Sequence, residues 1–183
     1  LDILTFPARD ILKDHKLKIA ILSTARGCTH NCSFCVSHNY WKYNDKFNWR
    51  SRSVDRILDE IEMICHEHHI KHFWFSDPSF EDPNFNRERM IDIAQGLLAR
   101  KLDILYIIYA RADFYKKADE ELMRLLSKSG LTSVFIGFES ADPNDIKLYG
   151  KAASVDDVHN SMSFFKKYDI AIDVGFINFN PYS

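Results

Sequence analysis

The chain has 183 residues, of which 46% are hydrophobic and 27% are charged, proportions typical of a folded domain and not of a disordered one. Its formal net charge of −2 excludes the strongly basic composition of proteins that bind nucleic acid or an anionic membrane through charge. No apolar run approaches the length of a membrane-spanning helix and no secretory leader is visible, so we expect a cytoplasmic protein. Four cysteines are too few for a disulfide framework.

The first segment, residues 1–16, shows little periodicity, and we interpret it as a connector that leads into a single domain over residues 17–183. The chain begins at Leu1 and not at Met, which indicates a processed or excised piece. It also ends directly after an apolar strand. A parallel sheet that stops there is incomplete unless that strand is an edge, so we expect a piece of a longer enzyme.

Five apolar runs that alternate with helical patterns follow the connector. The predicted strands cover residues 18–23, 72–76, 104–109, 132–137 and 171–177. The predicted helices cover residues 53–68, 84–101, 118–129, 143–149 and 154–168, with Ser53 and Ser154 as N-caps, Gly130 just past the third helix and Cys65 as a buried core thiol. Near-continuously apolar strands predict a parallel sheet covered on both faces. The later strands start roughly 30 residues apart, the length of one βα unit of a barrel.

The segment between the first two strands is longer than such a unit, and it carries three of the four cysteines. Cys28, Cys32 and Cys35 form a C-x3-C-x2-C pattern just after the first strand. Thiolates grouped in this way bind zinc or an iron–sulfur cluster. A structural zinc needs four ligands, and His30 or His38 could supply the fourth. A 4Fe–4S cluster held by three cysteines instead leaves one iron open to a substrate.

This cysteine pattern, with Phe34 just before the last cysteine, resembles the motif of the radical S-adenosylmethionine (radical SAM) superfamily. The resemblance implies an α/β fold, a partial (βα)6 barrel of parallel strands that is truncated here after the fifth strand. It also implies that Cys28, Cys32 and Cys35 hold a 4Fe–4S cluster whose open iron chelates SAM. In that family, one-electron reduction cleaves SAM to methionine and a 5′-deoxyadenosyl radical.

Polar residues follow the second and third strands, at the barrel end where the chemistry of such folds takes place. The resemblance implies that Asp77 meets the methionine amino group of SAM; an Asx turn before Pro78 is the alternative. Arg111 presents a fork suited to a carboxylate. Its alternative is a salt bridge to Asp113 or Glu139.

Residues after the fourth strand carry a second resemblance. The segment 137–140 is similar to the G-x-E-S segment of cobalamin-binding and methylthiotransferase-like radical SAM enzymes, which implies that Glu139 contacts the ribose or amino group of SAM. Gly137 would let the backbone approach a ligand closely. Lys151 resembles the basic position that faces the methionine carboxylate, and a solvated surface lysine is the alternative.

The adenine end of SAM has three candidate contacts. Phe34 and Tyr40 are aromatic residues of the cysteine segment that could stack on adenine. Residues 174–181 are similar to the family's G-x-I-x-G-x-P stretch, which implies an adenine contact for Ile177; packing in the core is the alternative. The remaining aromatic residues of the cysteine segment are expected to form a satellite core: Trp41, Tyr43, Phe47 and Trp49.

Three short segments indicate which group of radical SAM enzymes the chain resembles. R-x-R-S at 50–53, F-S-D-P-S-F at 75–80 and G-F-E-S at 137–140 resemble the cobalamin (B12)-binding radical SAM group in order, and residues 1–10 resemble its connector after the cobalamin domain. The resemblance implies cobalamin-dependent methyl transfer or ring formation, with cobalamin bound outside this chain. It also implies a small-molecule or peptide substrate and an electron donor such as flavodoxin or ferredoxin. The alternatives are a cobalamin-independent, methylthiotransferase-like enzyme and an iron–sulfur or zinc module without catalysis.

Overall fold

The computed structural model describes residues 1–14, 16–41, 49–81, 83–151 and 153–180. Its strands are β1 (Ile19–Leu22), β2 (Ala25–Arg26), β3 (Arg50–Ser51), β4 (His72–Phe75), β5 (Leu105–Ala110), β6 (Leu131–Glu139) and β7 (Ala171–Phe176). Its α-helices are α1 (Asp10–Asp14), α2 (Ser37–Tyr40), α3 (Val54–His68), α4 (Arg87–Ala99), α5 (Glu120–Lys128), α6 (Pro143–Leu148) and α7 (Val155–Lys166). A 3-10 turn covers Phe114–Lys116.

The five long strands form one sheet in the order β1-β4-β5-β6-β7, and every neighbouring pair is parallel. Helices α3, α4 and α5 connect successive strands, and α6 and α7 connect the last two. The predicted parallel βα array is therefore confirmed, with element ends within about three residues of those expected from the sequence. Strands β2 and β3 form a separate antiparallel pair at the base of the cysteine segment.

Local sequence signals explain where the helices start and stop. The Ser53 hydroxyl accepts a hydrogen bond from the Arg56 N–H, and Ser154 forms a capping box with Asp157. Gly130 follows α5 with a φ of 108°, a conformation that a side chain disfavours. The predicted caps and this glycine are confirmed.

One face of the sheet packs against the helices and forms the core. Ala20, Phe75 and Ile108 on this face are 0% exposed. The sequence predicted a sheet covered on both faces, but the opposite face is partly open. On that face Ile21 is 53% exposed and Leu105 is 42% exposed. The reason is geometric: the inner face of a barrel is enclosed only when the sheet closes, and in the described sheet β1 and β7 are two open edges.

Two short helices were not expected from the sequence, α1 in the connector and α2 after the last cysteine of the motif. Cys65 is partly buried and packs against the core, where burial raises the pKa of its thiol. No helix in the described ranges combines the length and the apolar character that a membrane crossing requires.

Candidate cluster and cofactor site

A cavity of about 350 Å³ opens where β4, β5 and β6 end. The cysteine segment lies over this end of the sheet and contributes all three thiols of the motif to the cavity lining. The charged side chains that line it are Arg111, Glu139 and Lys151, and the aromatic ones are Phe34, Tyr109 and Phe135. Residues predicted separately from strand ends and from the cysteine pattern are thus brought together in one cavity.

Backbone contacts hold the cysteine segment against the turn after α6. The Ser33 N–H donates to the Tyr149 carbonyl at 3.0 Å, and the Ser33 hydroxyl donates to the Leu148 carbonyl at 2.8 Å. The Phe34 ring meets the Tyr149 ring edge-on, with 5.4 Å between centroids. The Cys35 N–H donates to the Cys32 carbonyl at 3.1 Å, which closes a tight turn between the last two cysteines. The part of the segment that carries Cys32 and Cys35 is therefore fixed by contacts far away in sequence.

The redox state and placement of the three thiols bear on what they can bind. None of the four cysteines is in a disulfide. Within the described ranges, no three His, Cys, Asp or Glu side chains are grouped as one metal ion would require. A 4Fe–4S cluster makes a different demand, because each thiolate binds an iron of its own. The three motif residues line one cavity, as the ligands of such a cluster must.

Burial opposes the thiolate form of Cys32 by raising the pKa of its thiol, and only some of the neighbouring charges offset it. The positive charges of Lys151 and Arg111 lower this pKa. Cys35 and Glu139 raise it further. Metal binding needs the thiolate, so cationic side chains at the cavity wall assist it.

Glu139 and Lys151 form an ion pair at the wall of the cavity. The Lys151 Nζ lies 3.0 Å from the Glu139 Oε1 and also donates to the Gly137 carbonyl, and the two side chains are 11% and 15% exposed. Glu139 has a φ of 68° and sits where the register of β6 against β7 shifts. A Cβ added at Gly137 would overlap the Glu139 carboxylate. The glycine thus provides room for this carboxylate, beside the expected approach of a ligand.

Arg111 lies at the cavity and forms one of the two salt bridges considered from the sequence. Its guanidinium lines the cavity, and its Nε lies 3.0 Å from the Asp113 Oδ1. Its backbone N–H donates to the Glu81 Oε1 at 2.9 Å. Asp113, and not Glu139, is therefore the partner of Arg111.

Asp77 differs from the expectation that it faces SAM. It is 0% exposed, and the described lining of the cavity does not include it. Its carboxylate accepts hydrogen bonds from the backbone N–H groups of Thr24 and Ala25, at 2.7 and 2.9 Å, and from the Thr24 hydroxyl. Arg89, which is 7% exposed, lies 3.6 Å from it. Burial raises the pKa of the Asp77 carboxyl, while Arg89 and the Thr24 and Ala25 donors act in the opposite direction.

The physical reason for this difference is the chain path just before the cysteines. Thr24 and Ala25 turn away from β1 with donors that need an acceptor, and the carboxylate after the neighbouring strand β4 supplies it. Asp77 therefore anchors the start of the cysteine segment.

Of the three adenine-side candidates, one lies at the cavity. Phe34 lines the cavity, whereas Ile177 and Tyr40 are outside its described lining. The Ile177 N–H donates to the Glu139 carbonyl at 2.8 Å, so the backbone there supports Glu139. Tyr40 is 73% exposed and packs edge-on against Trp41. Tyr43 and Phe47 of the predicted satellite core, and Pro181 of the last motif, lie outside the described residues.

Two aromatic residues of the cavity were missed by the sequence reasoning. Tyr109 and Phe135 lie in register on β5 and β6, and their ring centroids are 5.0 Å apart. The sequence could have indicated Phe135. It is two residues before Gly137 on the same strand, and because side chains alternate between faces, both residues lie on the face of the cavity. The buried pair Thr24 and Arg89 carried no such signal, since it depends on contacts between distant parts of the chain.

Comparison with known proteins identifies the family. The profile of the Radical SAM superfamily matches residues 22–179. The chain is 29% identical over 163 residues to the anaerobic magnesium-protoporphyrin IX monomethyl ester cyclase of Cereibacter sphaeroides, which covers 88% of this chain and 25% of that protein. It is 30% identical over 193 aligned positions to the 4′-phospho-dehydrooxetanocin synthase of Priestia megaterium, which covers 95% of this chain and 25% of that protein.

Solved structures agree with these relatives. The cobalamin-dependent S-adenosylmethionine radical enzyme OxsB, with aqua-cobalamin and S-adenosylmethionine bound, superposes with a TM-score of 0.71 at 30% identity, over 87% of this chain and 24% of that one. The radical S-adenosylmethionine methyltransferase TsrM of Kitasatospora setae has a TM-score of 0.68 at 18% identity, over 86% of this chain and 30% of that one, a likeness of fold alone.

This chain spans about a quarter of the length of the curated relatives named above. The expected partial barrel and the resemblance to cobalamin-dependent members are confirmed by these matches. Because the superfamily profile covers most of the chain, including the cysteine motif and the strand ends around the cavity, the chain belongs to the radical SAM superfamily.

Proposed function

We propose that this chain is the catalytic core of an enzyme that cleaves SAM reductively at a 4Fe–4S cluster and uses cobalamin, bound outside this core, for methyl transfer or related carbon-centred radical chemistry. The single observation that carries the proposal is the shared cavity, where three thiols face a carboxylate, two cations and aromatic rings. When bound, the cluster and SAM would supply one-electron chemistry at an unactivated carbon. The residues of this chain bind and orient them and exclude water.

In the proposal, Cys28, Cys32 and Cys35 ligate the cluster. The turn from Cys32 to Cys35 and the anchorage of Ser33 on the residues after α6 fix the spacing of two of the thiols. Thiol ligands that are already held in place raise the affinity for the cluster, because less conformational entropy of the chain is lost when the cluster binds.

Glu139, Lys151 and Arg111 are proposed to bind the charged groups of SAM. The methionine end of SAM carries an ammonium and a carboxylate, and the cavity offers one carboxylate and two cations. The Glu139–Lys151 pair compensates both charges when no ligand is present, so neither is buried alone. When SAM binds, Glu139 can exchange Lys151 for the SAM ammonium, and Lys151 can exchange Glu139 for the SAM carboxylate. Phe34, which is 42% exposed and held edge-on by Tyr149, is proposed to stack on adenine.

The cobalamin part of the proposal is supported by the relatives. OxsB is described as cobalamin-dependent, and TsrM is described with cobalamin bound. Residues 1–16 are proposed to connect this core to the domain that binds cobalamin. An electron donor such as ferredoxin or flavodoxin, and hence a reducing cytoplasmic setting, belongs to the same proposal.

The test is anaerobic reconstitution of the intact protein with iron and sulfide. The proposal expects a reduced cluster whose electron paramagnetic resonance spectrum changes when SAM is added, and binding of hydroxocobalamin detected by its absorption spectrum. An unchanged spectrum at saturating SAM contradicts the open iron and favours an electron-transfer module. A SAM response without corrinoid binding contradicts only the cobalamin part and favours a cobalamin-independent enzyme.

Glu139→Gln is expected to lower the affinity for SAM by about 10-fold, because a hydrogen bond to a charged group contributes about 1.5–3 kcal/mol and each 1.4 kcal/mol is one decade. The substitution keeps the shape of the side chain and removes the charge that would meet the SAM ammonium or ribose. Isothermal titration of the reconstituted variant beside the parent measures the change.

The matched control for this prediction is Glu120→Gln, because Glu120 pairs with Arg124 on the exposed face of α5. This control should leave SAM affinity unchanged. If Glu139→Gln binds SAM like the parent while its melting temperature falls, Glu139 serves only to support β6 and Lys151.

A further inference from the structure

The connector at the start of the chain packs where the cysteine segment ends and α3 begins. The Asp2 carboxylate accepts a hydrogen bond from the Ser53 N–H at 3.0 Å. The Arg56 guanidinium donates to the Leu4 carbonyl at 3.1 Å and lies 3.8 Å from the centroid of the Phe6 ring. These contacts tie the connector to the first turn of α3, at the exit of the cysteine segment.

A buried carboxylate joins the connector to that exit more directly. Glu60, on α3, is 1% exposed, and each of its two oxygens holds a different guanidinium. Arg9 of the connector lies 2.5 Å from the Oε1, and Arg52 lies 2.6 Å from the Oε2. Arg9 also donates to the Ile21 carbonyl on β1 at 2.9 Å. Arg9 therefore links the connector, α3 and the edge strand of the sheet.

Arg52 carries this link to the base of the cysteine segment. Its backbone N–H donates to the Thr24 carbonyl at 3.0 Å, and its side chain donates to the Ser23 carbonyl at 3.1 Å and the Arg56 carbonyl at 2.8 Å. The bond to Thr24 continues the antiparallel pairing of β2 with β3, which brings the two ends of the segment together. The position of Arg52 thus helps to decide whether the segment is closed at its base.

We infer that Arg9 is a positioning residue for the cysteine segment: through Glu60 and Arg52, the connector holds the base of that segment closed over the sheet. Glu60 is almost fully buried, so removing Arg9 leaves one oxygen of its carboxylate without a charged partner. That state is costly, and local opening of the base of the segment relieves it. The inference deepens the proposed function and rests on it for the identity of the group that the three cysteines bind. It assigns to the connector a role inside the core, beside any role as a link to another domain.

The test measures the accessibility of individual thiols in the intact protein before cluster loading. Arg9→Met and Arg9→Lys are compared with the parent by timed alkylation with iodoacetamide at one fixed pH, followed by mass spectrometry of the peptides. Cys28, Cys32 and Cys35 report on the segment, and Cys65, on the same helix as Glu60, reports on the rest of the fold. The control is Arg124→Met, which removes an arginine that pairs on the surface of α5 and is 72% exposed.

We expect Arg9→Met to accelerate alkylation of the three motif thiols by up to about 10-fold, the factor by which the loss of one charge-assisted contact shifts a local opening equilibrium. The thiols are partly exposed in the closed segment, so the parent rate sets the baseline. Cys65 should react at the parent rate. Arg9→Lys should give an intermediate rate, since it keeps the charge near Glu60 and loses the second bond to β1. Arg124→Met should react like the parent.

Two results overturn the inference. Equal acceleration at Cys65 and at the motif thiols assigns Arg9 to global stability, and parent rates at all four thiols remove any role for it. If Arg9→Met does not fold, the test rests on Arg9→Lys alone, with the alkylation rates of the three motif thiols again compared with that of Cys65. The readout needs neither cluster nor SAM, so its failure is distinguishable from failure of the proposed function, which iron loading and the SAM response decide.

Discussion

Alanine at any one of Cys28, Cys32 or Cys35 is expected to abolish the stable 4Fe–4S cluster. The intact parent protein should take up about four irons per chain on anaerobic reconstitution, and each of the three variants should retain close to none after desalting. The reason is the number of ligands: the motif offers three thiolates for three irons, so one loss leaves an iron without a protein ligand beside the iron kept open for SAM. Iron and sulfide analysis with the absorption spectrum measures the outcome.

Cys65→Ala is the matched control, because it removes the same group from a partly buried position on α3 that packs against the core. This variant should load iron like the parent. A motif variant with a full cluster, or a parent protein that holds one tight zinc and no iron, contradicts the assignment. The latter result would favour a structural zinc with His30 or His38 as the fourth ligand.

The sequence predicted the parts of the fold that depend on local pattern. Apolar runs such as 132–137 and helix caps such as Ser53 and Ser154 are encoded within a few neighbouring residues, and the structure places these elements as expected. The cysteine motif has the same local character. It was sufficient to identify the family and to indicate where the cavity lies.

The partners of charged side chains were not predictable in the same way. Glu139 could have paired with Arg111, and the structure pairs it with Lys151 because the chain after α6 returns over the end of β6. Arg111 is held by its neighbour Asp113. Both Arg111 and Lys151 were expected near the strand end that carries Glu139. The path of the backbone decides which of the two pairs with it.

The connector illustrates the same limit. Nothing in the periodicity of residues 1–16 shows that Arg9 reaches Glu60, which is 51 residues later in the chain. The R-x-R-S segment at 50–53 marks Arg52, but Arg9 and Glu60 have no sequence signature, since an arginine or a carboxylate alone is typical of a solvent-exposed surface.

Asp77→Asn is expected to destabilise the fold by about 3–5 kcal/mol, the usual cost of removing one partner from a buried ion pair. The amide keeps the shape of the carboxylate, but it leaves the charge of Arg89, which is 7% exposed, without its partner. The donors from Thr24 and Ala25 also lose a charged acceptor. Denaturant unfolding of the variant beside the parent, under the same conditions, measures the difference in free energy.

The control for Asp77→Asn is Asp103→Asn, because Asp103 forms an exposed pair with Lys71 and such pairs contribute only about 0–1 kcal/mol. The double variant Asp77→Asn with Arg89→Met should recover part of the loss, since it removes the uncompensated charge together with its partner. SAM affinity per folded, cluster-loaded molecule should stay close to the parent value, because the Asp77 carboxylate is fully buried and lies outside the cavity lining. A 10-fold weaker affinity with unchanged unfolding free energy would instead place Asp77 in contact with SAM, and its bonds to the cysteine segment would then be secondary to ligand binding.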